Sequence, residues 1–469
     1  MTPLRRRTPA PVVGASAAPA ENRDVVPLRE ATKAWFAISL QTFGGPAGQI
    51  AVMQRTLVEE KRWIGQRRFL FALSYCTLLP GPEAQQLATY VGWLLNGVKG
   101  ALVAGTLFVL PGVVALLALS GIYVAYGETT FVEGLFLGLA PAVIAIVIQA
   151  VFRVGKRALT HPALIALAAA SFVALNFFAV PFPAVVAAAG VIGWMLGRWR
   201  PELTAPTTSD ADDGPVPLIS DDALHAEQPS HRRSAFILAT GVVTWTGPVV
   251  AAAILFGTDS VFVDQGLFFS GAALVTFGGA YAVLAYVAQQ AVNVYGWLAP
   301  GEMVRGLALA ETTPGPLIMV VQFVAFLGAY RDSGSLDPWV AAVLAALLTT
   351  WVTFVPCFLF ILLGAPYVER LRHNRNLSAA LTGITAAVVG VIANLAVYFT
   401  LHTLFGSTRR TTAGPLNFET PQLGTLQVAA LFITVLGCLL IFARGWGVLR
   451  TLGTCAVTGI VVHLLTAAW

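Results

Sequence analysis

Charge is what this sequence has least of. Of its 469 residues, 11% are Asp, Glu, Lys or Arg and 57% are hydrophobic, with a mean hydropathy of +0.76. A soluble chain carries charge on about a quarter of its residues. A fully water-facing surface is therefore excluded, and the chain reads as a polytopic membrane protein. Nucleic acid is excluded as a partner as well. The net charge of +5 comes from 28 basic and 23 acidic residues, and the basic ones cluster between apolar runs as cytoplasmic loops do. Cysteine is scarce: Cys76, Cys357, Cys438 and Cys455 all lie in apolar runs without CxxC spacing. They read as small buried residues, not as a metal site or a disulfide framework. There is no HExxH, no DxD and no Ser/His/Asp grouping near the motifs below, which argues against a membrane enzyme acting on lipid phosphates. No cofactor is called for.

Two stretches escape the hydropathy. Residues 1–28 are rich in Pro and Ala, carry Arg5, Arg6 and Arg7 and lack an apolar core, so they read as a disordered cytoplasmic tail, not a signal peptide. Residues 200–233 hold Pro201, Pro206, Asp210, Asp212, Asp213, Asp221, Asp222 and Glu227 with little to bury, and read as a disordered cytoplasmic linker. The linker separates two halves, 29–199 and 258–469, that resemble each other. A shift of 234 positions lays Thr42-Phe43-Gly44-Gly45 on Thr276-Phe277-Gly278-Gly279, Trp63 on Trp297, and Pro80-Gly81-Pro82 on Pro314-Gly315-Pro316. Farther on, a shift of 245 lays Pro111 on Pro356 and Gln149 on Asn394. The chain is an internal duplication.

Charge bias sets the relative orientation of the halves. Arg55, Lys61, Arg62, Arg67 and Arg68 follow the first glycine motif, whereas the matching loop, Gln289 to Glu302, has no Lys or Arg. Conversely, Gly121 to Thr130 lacks basic residues and its counterpart carries Arg370, Arg372 and Arg375. Opposite bias at equivalent loops means opposite orientation, so the expected fold is all-α with inverted repeats. Residues 234–257 have no counterpart and supply the odd crossing that an inversion needs. Two span counts remain open. If the segments broken at FGG and PGP are re-entrant, there are four spans per half and nine in total, and Arg55 to Arg68 fall in the cytoplasm with Arg153 and Arg157. Counting every apolar segment gives about thirteen spans and strands Arg55 to Arg68 outside. Both counts place Arg409 and Arg410 outside.

The breaks carry the functional argument. Irregular backbone at membrane depth is tolerated where protein or a water-filled cavity surrounds it, and duplicated, Gly/Pro-interrupted helices mark secondary transporters. Gly44 and Gly45, followed by Pro46, end one half-helix and start the next. Pro82 suits a first helical turn. Each break points N–H groups and the positive end of a helix dipole to mid-membrane, and four such termini would hold an anion. The plainer reading, packing kinks, would suffice for one motif but not for both repeated in register.

These residues also carry a resemblance. "FGGPAGQIAVM", "LLPGPEAQQLATYVGW" and "FVLPG" in the first half, with "TFGGAYAVLAYV", "TTPGPL" and "APYVERLRHN…ITAAVVGVIANLA" in the second, resemble the chromate ion transporter family, specifically its long, two-domain members. The resemblance covers most of the chain apart from tail and linker. It implies a multi-pass protein of the bacterial inner membrane, with a cytoplasmic N-terminus, that exports chromate or a sulfate-like oxyanion and confers chromate resistance. An anion channel of the same architecture is the rival. A homodimer is compatible with either. Many family members place Asn-Ser-Thr-Gln after PGP, where this chain has Glu83-Ala84-Gln85-Gln86.

The candidate substrate-binding set is Gly44, Gly45, Pro80, Gly81, Pro82, Gln85, Gln86, Gly278, Gly279, Pro314, Gly315, Pro316 and the symmetry mates Gln149 and Asn394. Glu83 and Glu311 are intramembrane carboxylates. Each is a candidate to carry a proton that compensates the anion's charge, or to pair with Lys99 or Arg305. Gln85, Gln86 and Gln322 can bond an oxyanion or bridge helices equally well. Trp63 and Trp297 read as interface anchors, His463 as a core or interface histidine, and Gly138 as a tolerant position in a scaffold helix.

Overall fold

The computed structural model describes residues 25–199, 216–219, 224–225, 229–277, 279–368 and 374–467. In chain order the helices are α1 Leu28–Ser39, α2 Gly45–Gln54, α3 Gln66–Cys76, α4 Glu83–Tyr126, α5 Thr130–Ala158, α6 Pro162–Phe178 and α7 Phe182–Trp199. The bridging α8 spans His231–Phe256. Then come α9 Val261–Val275, α10 Ala280–Asn293, α11 Glu302–Thr312, α12 Val320–Arg331, α13 Pro338–Gly364, α14 Arg375–Leu404, α15 Val428–Cys438 and α16 Val448–Ala467. Among the described residues the sole sheet is a hairpin of β1 Thr408–Ala413 and β2 Leu416–Pro421. The expected all-α polytopic membrane fold is present.

Both motifs break helices as their residues dictate. Gly44 takes the left-handed conformation (φ 79°, ψ 31°) and Gly279 lies at φ 101°, ψ 167°, a region open in practice to glycine alone. The pieces α1, α2 and α3, of 12, 10 and 11 residues, are each about 15–18 Å long, well short of the ~30 Å hydrocarbon core. α4 is itself two helices, because Asn96 and Gly97 are non-helical. The arms 83–95 and 98–126 fold back on each other so closely that a Cβ at Gly92 would meet the Gly100 carbonyl. Seven described helices are long and apolar enough to cross a membrane. Four shorter apolar segments accompany them, Pro162–Phe178, Val261–Val275, Leu317–Arg331 and Val428–Ala443. The re-entrant count of nine corresponds to the first and last of these crossing, which occupy matching places in the two halves, and the middle two not.

The halves interlock. α5 packs along α16, and α7 along α14. A Cβ at Gly138 of α5 would lie 2.1 Å from the Cys455 carbonyl oxygen, and one at Gly459 would lie 2.2 Å from the Gly138 nitrogen. At the equivalent crossing, a Cβ at Gly193 would lie 2.7 Å from Gly383 Cα. The shift of 245 carries Gly138 onto Gly383, so one crossing is the image of the other. Gly138 is therefore a helix-crossing residue, which corrects its reading as a tolerant scaffold position.

Two further expectations change. Trp63 and Trp297 are 7% and 5% exposed. They pack inside the protein, with Trp297 stacked on Tyr295 at 4.3 Å, instead of anchoring at an interface. Within the stretch expected to be a disordered linker, described residues dock on the first half. Leu218 N–H donates to the Arg62 carbonyl and His225 N–H to the Leu94 carbonyl, both at 2.8 Å, and Leu224 is 6% exposed.

Candidate functional site at the paired helix breaks

The breaks of one half are completed by those of the other. Gly81 N–H donates to the Thr276 carbonyl at 2.7 Å, and Gly315 N–H donates to the Thr42 carbonyl at 3.1 Å. The PGP turn of each half thus bonds the TFGG turn of its partner half, the self-complementary pattern of a two-fold relation. Gln49 Nε2 strengthens one of the two crossings by donating to the Gly315 carbonyl at 2.6 Å. The Gly81 and Gly315 amides are therefore occupied by protein, and the PGP residues Pro80, Pro82, Pro314 and Pro316 build a junction with them.

Beside this junction lies a cavity of about 430 Å³. Pro46, Ala47 and Ile50 of α2, Glu83 of α4, and Gly279, Ala280 and Tyr281 of the second break line it. Three helix N-termini, those of α2, α4 and α10, so face one space, and none has a side-chain cap. The fourth expected terminus is absent from the wall, because Leu317 and Ile318, which lead into α12, are 3% and 2% exposed in the apolar core. Arg153 and Arg157 of α5 complete the positive lining, with Ser378 and with Thr77, Thr382 and Thr385, whose hydroxyls donate to backbone carbonyls of their own helices. The C-terminal end of α5 and the N-terminal end of α14 share this cavity. Those helices are sequence equivalents, so the two halves run in opposite directions.

Glu83 interacts electrostatically with Arg157, not with Lys99 or Arg305. Arg305 instead donates to the Tyr123 hydroxyl at 3.2 Å. Glu311 is 2% exposed and accepts from the cavity-lining Tyr281 hydroxyl at 2.5 Å. Its second oxygen has no hydrogen-bond partner among the described residues. Arg153 and Arg157 were read in the sequence only as cytoplasmic charge. The signal that identifies them is helical spacing, since Gln149, Arg153 and Arg157 recur every four residues on one stripe of α5.

Set beside known proteins, the chain shows one family throughout. The profile of the chromate transporter family matches residues 29–194 and 263–460. The chain belongs to the chromate transporter family. It is 32% identical over 365 residues to the chromate transport protein of Pseudomonas aeruginosa, covering 75% of this chain and 76% of that one. It is 29% identical to the chromate transport protein of Cupriavidus metallidurans, covering 78% and 80% respectively. A shorter relative, the uncharacterized transporter YwrA of Bacillus subtilis, is 28% identical over 122 residues, which is 26% of this chain and 68% of that protein. No solved structure matches the chain.

In this chromate transporter family member, not all sequence candidates come together. Glu83 and Gly279 line the cavity. Gly44 and Gly45 immediately precede its wall, and a Cβ at Gly45 would sit 3.9 Å from the Tyr281 hydroxyl. Gly278 lies outside the described residues. Gln86 Nε2 donates to the Pro80 carbonyl at 2.7 Å and Gln85 Nε2 to Thr89 Oγ1 at 3.1 Å, so both serve the PGP turn and the helix after it. Gln322 bridges to the Val113 carbonyl at 3.1 Å. Gln149 accepts from Arg153 at 2.9 Å, whereas its mate Asn394 lines a different cavity. His463 sits 3.6 Å from the Glu133 carboxylate.

Proposed function

We propose that the protein is a secondary transporter that exports chromate, a tetrahedral oxyanion of the sulfate type, across the bacterial cytoplasmic membrane and so confers chromate resistance. The observation that carries this reading is the cavity where three uncapped helix N-termini face Arg153 and Arg157. An uncapped terminus contributes roughly 0.3–1 kcal/mol to an anion at its mouth. A guanidinium about 4 Å away contributes roughly 4 kcal/mol per unit charge at an effective dielectric constant of ~20. The arginines therefore supply most of the affinity, and the termini shape the site.

The helices at the cavity bear on how an anion would move. Arg153, Lys156 and Arg157 end α5, and Arg375 begins α14, so positive-inside bias assigns this cavity to the cytoplasm. Chromate enters there, exchanges hydration for guanidinium and amide donors, and leaves when the halves rearrange about their shared junction. The chain's 200–233 stretch is then cytoplasmic, 234–257 connects the two repeats, and the chain acts as a carrier, not an enzyme. Chromate uptake into everted vesicles, with sulfate as competitor, tests the proposal. Saturable, exchangeable uptake is expected. Uptake that rises linearly with concentration would make the protein a channel, and none would remove the function.

A further inference from the structure

The second cavity that concerns the transport path, about 100 Å³ in volume, is lined by Asn176, Gln289, Asn293, Asn394, Tyr398 and Arg410, among others. It lies on the same two helices as the cytoplasmic cavity. α10 gives Ala280 and Tyr281 to the first and Gln289 and Asn293 to the second. α14 gives Ser378 to Ile392 to the first, and Asn394 to Leu401 to the second. α14 has 30 residues, about 45 Å at 1.5 Å each, so its two ends reach opposite faces of the membrane. Between Tyr281, which lines the first cavity, and Ala285, which lines the second, α10 buries Ala282, Val283 and Leu284 in the apolar core.

Pseudosymmetry shows what this outer end lacks. The shift of 245 that carries Gln149 onto Asn394 also carries Arg153 onto Tyr398 and Arg157 onto His402. Both cations of the cytoplasmic mouth are therefore missing from the outer one. At the same place the second half is longer: three residues, 159–161, link α5 to α6, whereas 405–427 link α14 to α15 and contain the β-hairpin. That insertion brings Arg410 to the cavity. Asn417 Oδ1 accepts from Arg410 Nε at 2.8 Å, which holds the guanidinium and leaves its terminal nitrogens to point elsewhere. The cross-strand neighbour of Arg410 is Glu419, which also lines the cavity; its carboxylate lies 3.5 Å from His402 Nε2, so the wall carries one carboxylate beside the one guanidinium. The Tyr398 hydroxyl is buried and has no hydrogen-bond partner among the described residues.

We infer that this cavity is the outer oxyanion site of the transport path, with Arg410 as its cationic anchor and Asn394 and Tyr398 as neutral donors. A planar guanidinium suits an oxyanion better than an ammonium does, because its donors match two oxygens at once. The inserted hairpin returns to the external mouth one of the two cations that its repeat gave up, and His402 engages the carboxylate of Glu419 that comes with it. It also accounts for Arg410 standing outside, against the usual bias.

The inference rests on the transport reading, and sidedness separates the two. Chromate-for-chromate exchange is measured in right-side-out and in everted vesicles, each giving the half-saturating concentration at one face. Arg410→Gln is expected to raise the external value tenfold or more and to change the cytoplasmic value less than twofold, with Arg410→Lys intermediate. Arg153→Gln is expected to do the reverse. Asn394→Asp, which puts a like charge against the anion without touching the hairpin, should again raise only the external value. Equal effects of Arg410→Gln at both faces, or none at the external face, would overturn the inference. Saturable exchange by the parent protein alongside that result would leave the transport reading standing, whereas no exchange by the parent would remove both.

Discussion

Two glycines separate the site from the scaffold. At Gly279 no heavy atom lies within 4 Å of where a Cβ would stand, so Gly279→Val meets no neighbour. Its cost is conformational, because φ 101° with ψ 167° costs a non-glycine residue about 1–3 kcal/mol. The backbone can relieve that by rotating, and rotation swings the first amides of α10 away from the cavity. Losing one hydrogen bond to a charged group costs roughly 1.5–3 kcal/mol, or about 10- to 150-fold in affinity. Gly138 is the opposite case. A Cβ there lies 2.1 Å from the Cys455 carbonyl oxygen and 2.7 Å from Ala456 Cα. Both are backbone, so no rotamer relieves the clash and α5 must part from α16 by about 1 Å, an overpacking cost of about 1–3 kcal/mol or more. Gly279→Val is therefore expected to fold, with a melting temperature a few degrees lower at most, and to transport at least tenfold less. Gly138→Val is expected to yield little monodisperse protein. Fluorescence-detected thermal unfolding in detergent and chromate uptake into vesicles read the two effects apart. Normal transport by Gly279→Val, or parental stability of Gly138→Val, would refute the reasoning.

Three more outcomes are expected. In a cysteine-free background, a cysteine at Arg62 should label from the cytoplasm alone and one at Asn293 from outside alone; labelling of both from one side contradicts the inversion. Glu83→Gln should abolish proton-gradient-driven transport while chromate binding, measured by equilibrium exchange, persists. A drop in thermal stability with coupling intact would make Glu83 only the partner of Arg157. Leu224→Ala should lower stability by roughly 2 kcal/mol, the scale of one buried leucine, without changing transport per folded molecule. An unchanged melting temperature would return the 200–233 stretch to a solvated tether.

The duplication, the breaks and the inversion were legible because each rests on something local or periodic: paired TFGG and PGP strings, apolar length, and basic residues counted loop by loop. The wall of the site was not. Which amides stay open depends on contacts across hundreds of positions, and the bond from Gly81 to Thr276 is what removes the PGP turns from the list of donors. Arg153 and Arg157 were visible but assigned to topology, since a basic residue near a helix end serves both purposes. Gln149 and Asn394 illustrate the opposite error. Sequence symmetry made them mates, and an inverted repeat sends mates to opposite faces unless they lie near its two-fold axis, as the TFGG and PGP turns do.

The crossed bonds at the junction have a consequence for how the chain is made. When the first half leaves the ribosome, the Thr42 carbonyl and the Gly81 amide have no partners of their own. Thr42 waits for Gly315, 273 residues farther on, and Gly81 waits for Thr276. In hydrocarbon, each unsatisfied backbone group costs several kcal/mol. The newborn half must therefore keep its breaks wet, or shielded by an insertase, until its inverted twin arrives. A repeat encoded as a separate chain would face the same debt, and a second, oppositely inserted chain would settle it.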